Sequence, residues 1–224
     1  INIYNSFVYA NGNNASTLLG RLDSTSGLFV RNCSSQNCYI YGKDHTAGLT
    51  GTLWMQSGRS SVKYDTAFPS SPETWINVQN TIKSNKIFPI MFENCYSVDC
   101  TVFSLGDGDS GGLISCGHMM ICRNSFTNNT MYGTKRTGDF IGRIVTHGNG
   151  TNGIYDDNNK QTIGTYFENC YSSGVVEGTT QIGGFTGLDD GKPDKNNNGV
   201  TVYKNCYSTA MVGMDYAGDK LGGF

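Results

Sequence analysis

The chain has 224 residues, ample for one domain, with 30 glycines, only 4 prolines and a net charge of −2. So slight an acidic balance gives no reason to expect nucleic acid or an anionic membrane as a partner. No apolar run approaches the ~18 residues of a membrane span. The chain opens on Ile1 rather than Met and stops at Phe224 within a Gly-Gly-apolar stretch, and is read as a piece of a longer processed protein.

Taken in order, the chain predicts six related segments, each reading as one coil. The first covers about 1–22 and centres on Asn5-Ser6-Phe7. The second covers 28–51 and centres on Asn32-Cys33-Ser34. An insertion follows over 52–89, holding Trp54, Trp75 and three of the four prolines. It is read either as a flank cap on the core or, through its two tryptophans, as a binding surface. Four more coils follow over 90–115, 120–142, 165–187 and 200–224, with Asn/Asp/Gly-rich loops at 146–160 and 189–199.

The copies align column by column. An apolar column holds Ile3, Val30, Phe92, Cys122, Phe167 and Tyr203. A polar column holds Tyr4, Arg31, Glu93, Arg123, Glu168 and Lys204, alternating in sign from its second member. A third is Asn throughout: Asn5, Asn32, Asn94, Asn124, Asn169 and Asn205. A small residue follows, then usually an aromatic: Phe7, Tyr96, Phe126, Tyr171 and Tyr207. Internal repetition outranks other signals, because one repeat cannot bury its apolar face alone and stacked copies can. Alternating apolar and polar residues bounded by Gly and Asn argue strand rather than helix. The predicted fold is therefore all-β: a right-handed parallel β-helix, or β-solenoid, of about six irregular coils with inserted loops. Coils would sit roughly 4.8 Å apart, so each column becomes a ladder. Asn suits such a ladder through amide-to-amide bonds, and suits a bend through its tolerance of the left-handed conformation. The sequence leaves open whether the Asn and Tyr columns face in or out.

Of the eight cysteines, Cys33, Cys95, Cys170 and Cys206 fill the small-residue column, and Cys38 and Cys100 share a second one. Stacked free thiols explain both columns, since buried Cys behaves as a small hydrophobe. Cys116 and Cys122 fall outside them and are the expected disulfide, if there is one. Three sequons in turn-like stretches make Asn14, Asn128 and Asn149 glycosylation candidates; the sequon at Asn32 lies in the ladder.

Few motifs carry chemistry. Gly108-Asp109-Ser110-Gly111-Gly112 matches the nucleophile stretch of a serine protease, but its glycines belong to the repeat and no histidine context accompanies it. Asp194-Lys195-Asn196-Asn197-Asn198-Gly199 fits the first half of a calcium loop, with Asp190, Asp194, Asn196 and Asn198 as candidate ligands. Calcium is the one cofactor candidate and none is required. Glu93 and Glu168 share a column, but a cation between them would hold both ionised and unsuited to acid catalysis.

The core Asn169-Cys170-Tyr171-Ser172 leading to Gly183-Gly184-Phe185-Thr186-Gly187 resembles the GLUG-type repeat, and Asn94-Cys95-Tyr96-Ser97 and Asn205-Cys206-Tyr207-Ser208 resemble it too. That repeat occurs in large surface proteins, including adhesin-like proteins and non-catalytic regions of immunoglobulin A-cleaving metalloproteases. The resemblance implies a β-solenoid at the cell surface or outside the cell. It carries over no catalytic residue, since the His-Glu-x-x-His zinc motif is missing. The expected role is a non-catalytic stalk, fibril or adhesive segment, stacked on neighbouring repeats or copies end to end, with glycans or a host surface as further partners. The alternatives are a carbohydrate-active β-helix enzyme and a calcium-dependent glycan-binding module.

Overall fold

The computed structural model describes residues 1–24, 28–55, 59–63, 86–87, 90–147, 153–155, 161–192, 200–213 and 219–224. Among these there are strands and turns but no helix. The strands lie in three sheets, and successive passes of the chain visit them in turn. The first sheet stacks Leu28–Arg31, Ile90–Glu93, Met120–Arg123, Gln161–Glu168 and Val200–Lys204, all parallel. The second takes the segment after each Asn, with Tyr96–Ser104, Phe126–Gly138 and Val175–Gly183 as its longest strands. The third stacks Leu19–Ser24, Thr50–Met55, Ile114–His118, Ile141–His147 and Thr186–Lys192, again parallel. The Gly153–Tyr155 strand against Gln161–Glu168 is the one antiparallel pairing among the described strands. Parallel sheets built one strand per pass are consistent with a β-solenoid.

The register reproduces the sequence columns in five of the six copies. Val30, Phe92, Cys122, Phe167 and Tyr203 lie on one another in order, as do Arg31, Glu93, Arg123, Glu168 and Lys204. The alternating signs pair Arg31 with Glu93, and both Arg123 and Lys204 with Glu168, so a slip by one coil would set like charges together.

The first copy is out of place. Asn2–Tyr4 pairs with Ser34–Gln36, and Phe7–Tyr9 with Tyr39–Gly42, so Asn5 stacks on Asn37 and not on Asn32. Asn37 Nδ2 donates to Asn5 Oδ1 at 2.6 Å. Ile3 and Phe7 leave their assigned columns with it. The cause is a second left-handed bend, at Asn37 (φ 52°) and Asp99 (φ 53°), which Asn5 (φ 50°) fits as well as the first. The coil bounds shift as well, because the third-sheet strands run past the expected ends to Ser24, Met55, His118, His147 and Lys192. Trp54 therefore belongs to a sheet and not to the insertion.

The Asn column itself sits at the bend and faces solvent. Asn32, Asn94, Asn124, Asn169 and Asn205 all have φ between 49° and 54°. Asn94 donates its amide to Asn32, Asn169 to Asn124 and Asn205 to Asn169, at 3.1–3.3 Å. Asn169 both donates and accepts. Asn169→Ala is expected to cost about 2 kcal/mol in urea unfolding, from a left-handed Ala plus lost amide bonds, and Asn169→Gly about half of that. Equal losses would mean that the amides and not the bend set the cost.

Inside, the apolar residues divide into two clusters. The larger joins the first and third sheets through Phe92, Phe167, Phe140, Phe185, Leu53 and Ile114. The smaller lies under the second sheet, around Ile40, Val102, Met131, Val176 and Ile182. A polar seam separates them. It consists of Ser35, Ser97, Thr127 and Ser172, all fully buried, which stand one residue after the aromatic column and so point inward. Ser35 donates to Ser97 at 2.9 Å, Ser97 to Asn129 at 3.2 Å, and Thr127 to Asp139 at 3.2 Å. Asp139 stands where register places Gly112 and Gly184 in the adjacent coils. Its carboxylate also accepts the backbone N–H groups of Asn129, Ser173 and Gly174 at 2.9–3.2 Å.

Candidate functional site

The outer face of the second sheet is aromatic. Tyr96, Phe126, Tyr171 and Tyr207 form a ladder with centroids 5.0–5.2 Å apart and near-parallel planes. A second set lies beside it: Phe7 on Tyr39, Tyr9 on Tyr41 and Phe103 on Tyr132. Rings stacked at coil spacing give their faces to one another and only their edges to solvent. Open ring faces therefore occur at the ladder ends.

The two ends are also where apolar surface is exposed. Of the ten exposed large hydrophobic residues among those described, Ile1, Tyr4, Phe7 and Tyr9 lie in the first coil, and Tyr207, Met211, Leu221 and Phe224 in the last. Phe7 is 69 % exposed and Met211 68 % exposed. Among the described residues, Asn2–Tyr4, Phe7–Tyr9 and Leu19–Ser24 each pair on one edge only. At the other end the same holds for Thr186–Lys192, Val200–Lys204, Tyr207–Ser208 and Met211–Gly213. That end opens as a cavity of about 380 Å³ lined by Ile182, Leu188, Tyr203, Leu221 and Phe224. Phe224 stacks on Phe185 at 5.0 Å, and Phe185 on Phe140 at 4.4 Å, so a column of rings runs from the interior to the partly exposed Phe224. At the rim Asp189 accepts from Thr201 and Tyr203. Burial raises the Asp189 pKa against the pull of these donors, and burial, then the Asp189 charge, push the Tyr203 phenol up.

A charged corner lies between the second and third sheets, and the sequence columns gave no sign of it. Register aligns His45, Asp109 and Arg136, the residues before Thr46, Ser110 and Thr137. Asp109 is fully buried, with Arg136 Nε 2.7 Å from one oxygen and His45 Nδ1 3.2 Å from the other. Neither contact has hydrogen-bond alignment, so Arg136 holds the carboxylate by charge alone. Ser110 Oγ faces Thr137 Oγ1 at 2.9 Å and both are buried. The protease-like stretch thus sets its serine against a threonine of the next coil.

Cys116 and Cys122 are free thiols, against the expected bridge. They stand in different sheets: burial and then the Asp109 charge raise the Cys116 pKa, while Cys122 Sγ lies 3.9 Å from Cys170 Sγ. The carboxylates that share a column are held by cations, Glu93 by Arg31 and Glu168 by Arg123 and Lys204. Asp190 is paired with Arg143, and its proposed calcium partners Asp194, Asn196 and Asn198 lie outside the described residues. Among the described residues no three His, Cys, Asp or Glu side chains gather as a metal site. Trp54 is half-buried and stacks on His118 at 5.2 Å, while Trp75 lies outside the described residues. Asn128 is exposed in mid-strand. Asn14 is at a left-handed bend and accepts from Thr52, and Asn149 lies outside the described residues. No helix among the described residues is long and apolar enough to cross a membrane. No protein-family model matches the chain, and neither does any curated protein or solved structure.

Proposed function

We propose that the chain is a segment of a right-handed parallel β-solenoid that serves outside the cell or on its surface as a structural or adhesive repeat, without catalysis, and that takes further coils at both ends. The observation that carries this reading is the concentration of exposed apolar side chains and single-edged strands on the first and last coils. A stack of coils leaves such surface only where it is ready to be continued, since each added coil buries one apolar layer and one set of strand edges. The cation-held carboxylates and the edge-on aromatic ladders favour this role over sugar cleavage or a sugar platform.

The reading is tested by sedimentation velocity over a range of chain concentrations, with negative-stain microscopy of the larger species. Unmodified chain is expected to associate into rods. Phe7→Glu with Met211→Glu should lower the apparent association constant at least about tenfold, because each charge would be buried at an end contact. Leu105→Lys, on the side of the stack, should leave assembly unchanged. A chain that stays monomeric, or whose assembly fails with the side variant and survives the end variant, would overturn it.

A further inference from the structure

Cysteine occupies both bend columns of only two coils, the second and third. Register places Ser34 on Tyr96 and Tyr39 on Thr101, so Cys33 lies against Cys95 and Cys38 against Cys100. The backbone bonds agree: Tyr96 N donates to Cys33 O at 3.2 Å, and Thr101 N to Cys38 O at 2.9 Å. In the next coil Ser125 takes the first position, while a one-residue-shorter bend leaves Asn129 alone where Asp99 and Cys100 stood. In the first coil the second position is Ser6. Neither pair therefore has a third cysteine in register in the coil on either side. Directly registered parallel neighbours stand about 4.8 Å apart at Cα, inside the roughly 4.4–6.8 Å that a disulfide spans. All four sulfurs now turn back to the carbonyl two residues earlier, at 3.3–3.4 Å, which is the shared rotamer of a reduced ladder.

We infer that Cys33–Cys95 and Cys38–Cys100 are paired redox sites that close as two coil-to-coil disulfides when the chain folds in the presence of a small-molecule disulfide. One cysteine thiolate attacks that disulfide and releases a thiolate, leaving a mixed disulfide on the protein. The registered partner thiolate then attacks the protein sulfur of the mixed bond and expels the second small thiolate. Two protein thiols are oxidised, one small disulfide is reduced to two thiols, and the released thiolates take up the two protons. Closure belongs to folding, because all four residues are buried in the finished coil and burial pushes the Cys95 thiol up to about 12, leaving little thiolate. The location has a use: the two bridges join neighbouring coils that are separated by the longest stretch of sequence, where loop closure costs the most entropy.

The test refolds the chain from denaturant with oxidised and reduced glutathione, alkylates what remains free, and maps tryptic peptides. The expected result is the Asn32–Lys43 peptide joined to the Ile87–Arg123 peptide through Cys95 and Cys100, with Cys116 and Cys122 of the latter alkylated. Cys38→Ser with Cys100→Ser, and Cys33→Ser with Cys95→Ser, each keep one registered pair and should still join these peptides. Cys33→Ser with Cys100→Ser keeps Cys38 and Cys95, which are out of register, and should not. Full alkylation of Cys33, Cys38, Cys95 and Cys100 in the unmodified chain, or equal joining in the out-of-register variant, would overturn the assignment.

Discussion

Replacing Asp139 by Asn or by Gly is expected to lower the unfolding free energy by about 3 kcal/mol in urea at pH 7, because buried donors lose their acceptor at about 1–3 kcal/mol each. Its carboxylate collects the N–H groups of Asn129, Ser173 and Gly174 and the Thr127 hydroxyl, and all sit in the seam between the two apolar clusters. An Asn side chain offers one oxygen and turns an NH2 group toward donors on its other side. Gly suits the backbone, since register puts glycine at this position in the adjacent coils, yet it leaves every donor empty. If Asp139→Gly proved as stable as the unmodified chain, Asp139 would be filling space and not satisfying the seam.

The same group makes stability depend on pH in a direction opposite to most carboxylates. Burial raises the Asp139 pKa from 3.8 to about 6, and the hydrogen bonds from Gly174, Thr127, Asn129 and Ser173 offset only part of that rise. A carboxyl whose folded pKa is raised stabilises the fold below the unfolded pKa, and that contribution is lost as pH rises through the folded one. Two pKa units correspond to about 3 kcal/mol, lost mainly between about pH 4 and 6. Asp189 shifts in the same direction, so the quantity to measure is the difference between the unmodified chain and Asp139→Asn across that window. The difference should narrow as pH rises; a flat difference would mean that Asp139 titrates as an ordinary carboxyl.

The sequence made the first sheet legible because its alternation and its Asn bend recur with little variation. Val30, Phe92, Cys122, Phe167 and Tyr203 could be stacked by eye, and the structure stacks them. The first copy misled because Asn5-Ser6-Phe7 fits either of two left-handed bends, and only pairing to Ser34–Gln36 decides between them. The third sheet was legible only in the Gly-Gly-apolar stretches that lead into it, at Gly111-Gly112-Leu113-Ile114 and Gly183-Gly184-Phe185-Thr186. Its strands carry no shared signature: Arg21, Thr52, Cys116, Arg143 and Leu188 lie in one column with nothing chemical in common. The seam was half legible. The Ser after each Tyr was on the page, but that Asp139 replaces a column glycine became readable only once register joined Gly111, Gly138 and Gly183. The ends of the stack, which carry the functional reading, have no motif at all; they are defined by which strands, among the described residues, pair on one edge only.

Gly111→Ala is expected to be among the most damaging single changes, costing about 3 kcal/mol or more and most of the soluble yield. Glycine recurs through Gly111, Gly138, Gly183 and Gly222 at the corner that feeds the third sheet, with Ala47 in the second coil. At Gly111 a Cβ would run into the Ile114 carbonyl of its own coil and the Gly142 backbone nitrogen of the next. Both obstacles are main chain, so no side-chain rotation relieves them, and the coils would have to part where parallel pairing holds them together. Gly12 provides the control, because a Cβ there meets nothing within 4 Å, and Gly12→Ala should stay within about 0.5 kcal/mol of the unmodified chain. The comparison separates two roles that sequence alone merges. In a chain with 30 glycines, most could serve loose turns, yet the column that includes Gly111 serves the close approach of one coil to the next. If both alanine variants unfold at the same urea concentration, the coil spacing at this corner is not what the glycine column protects.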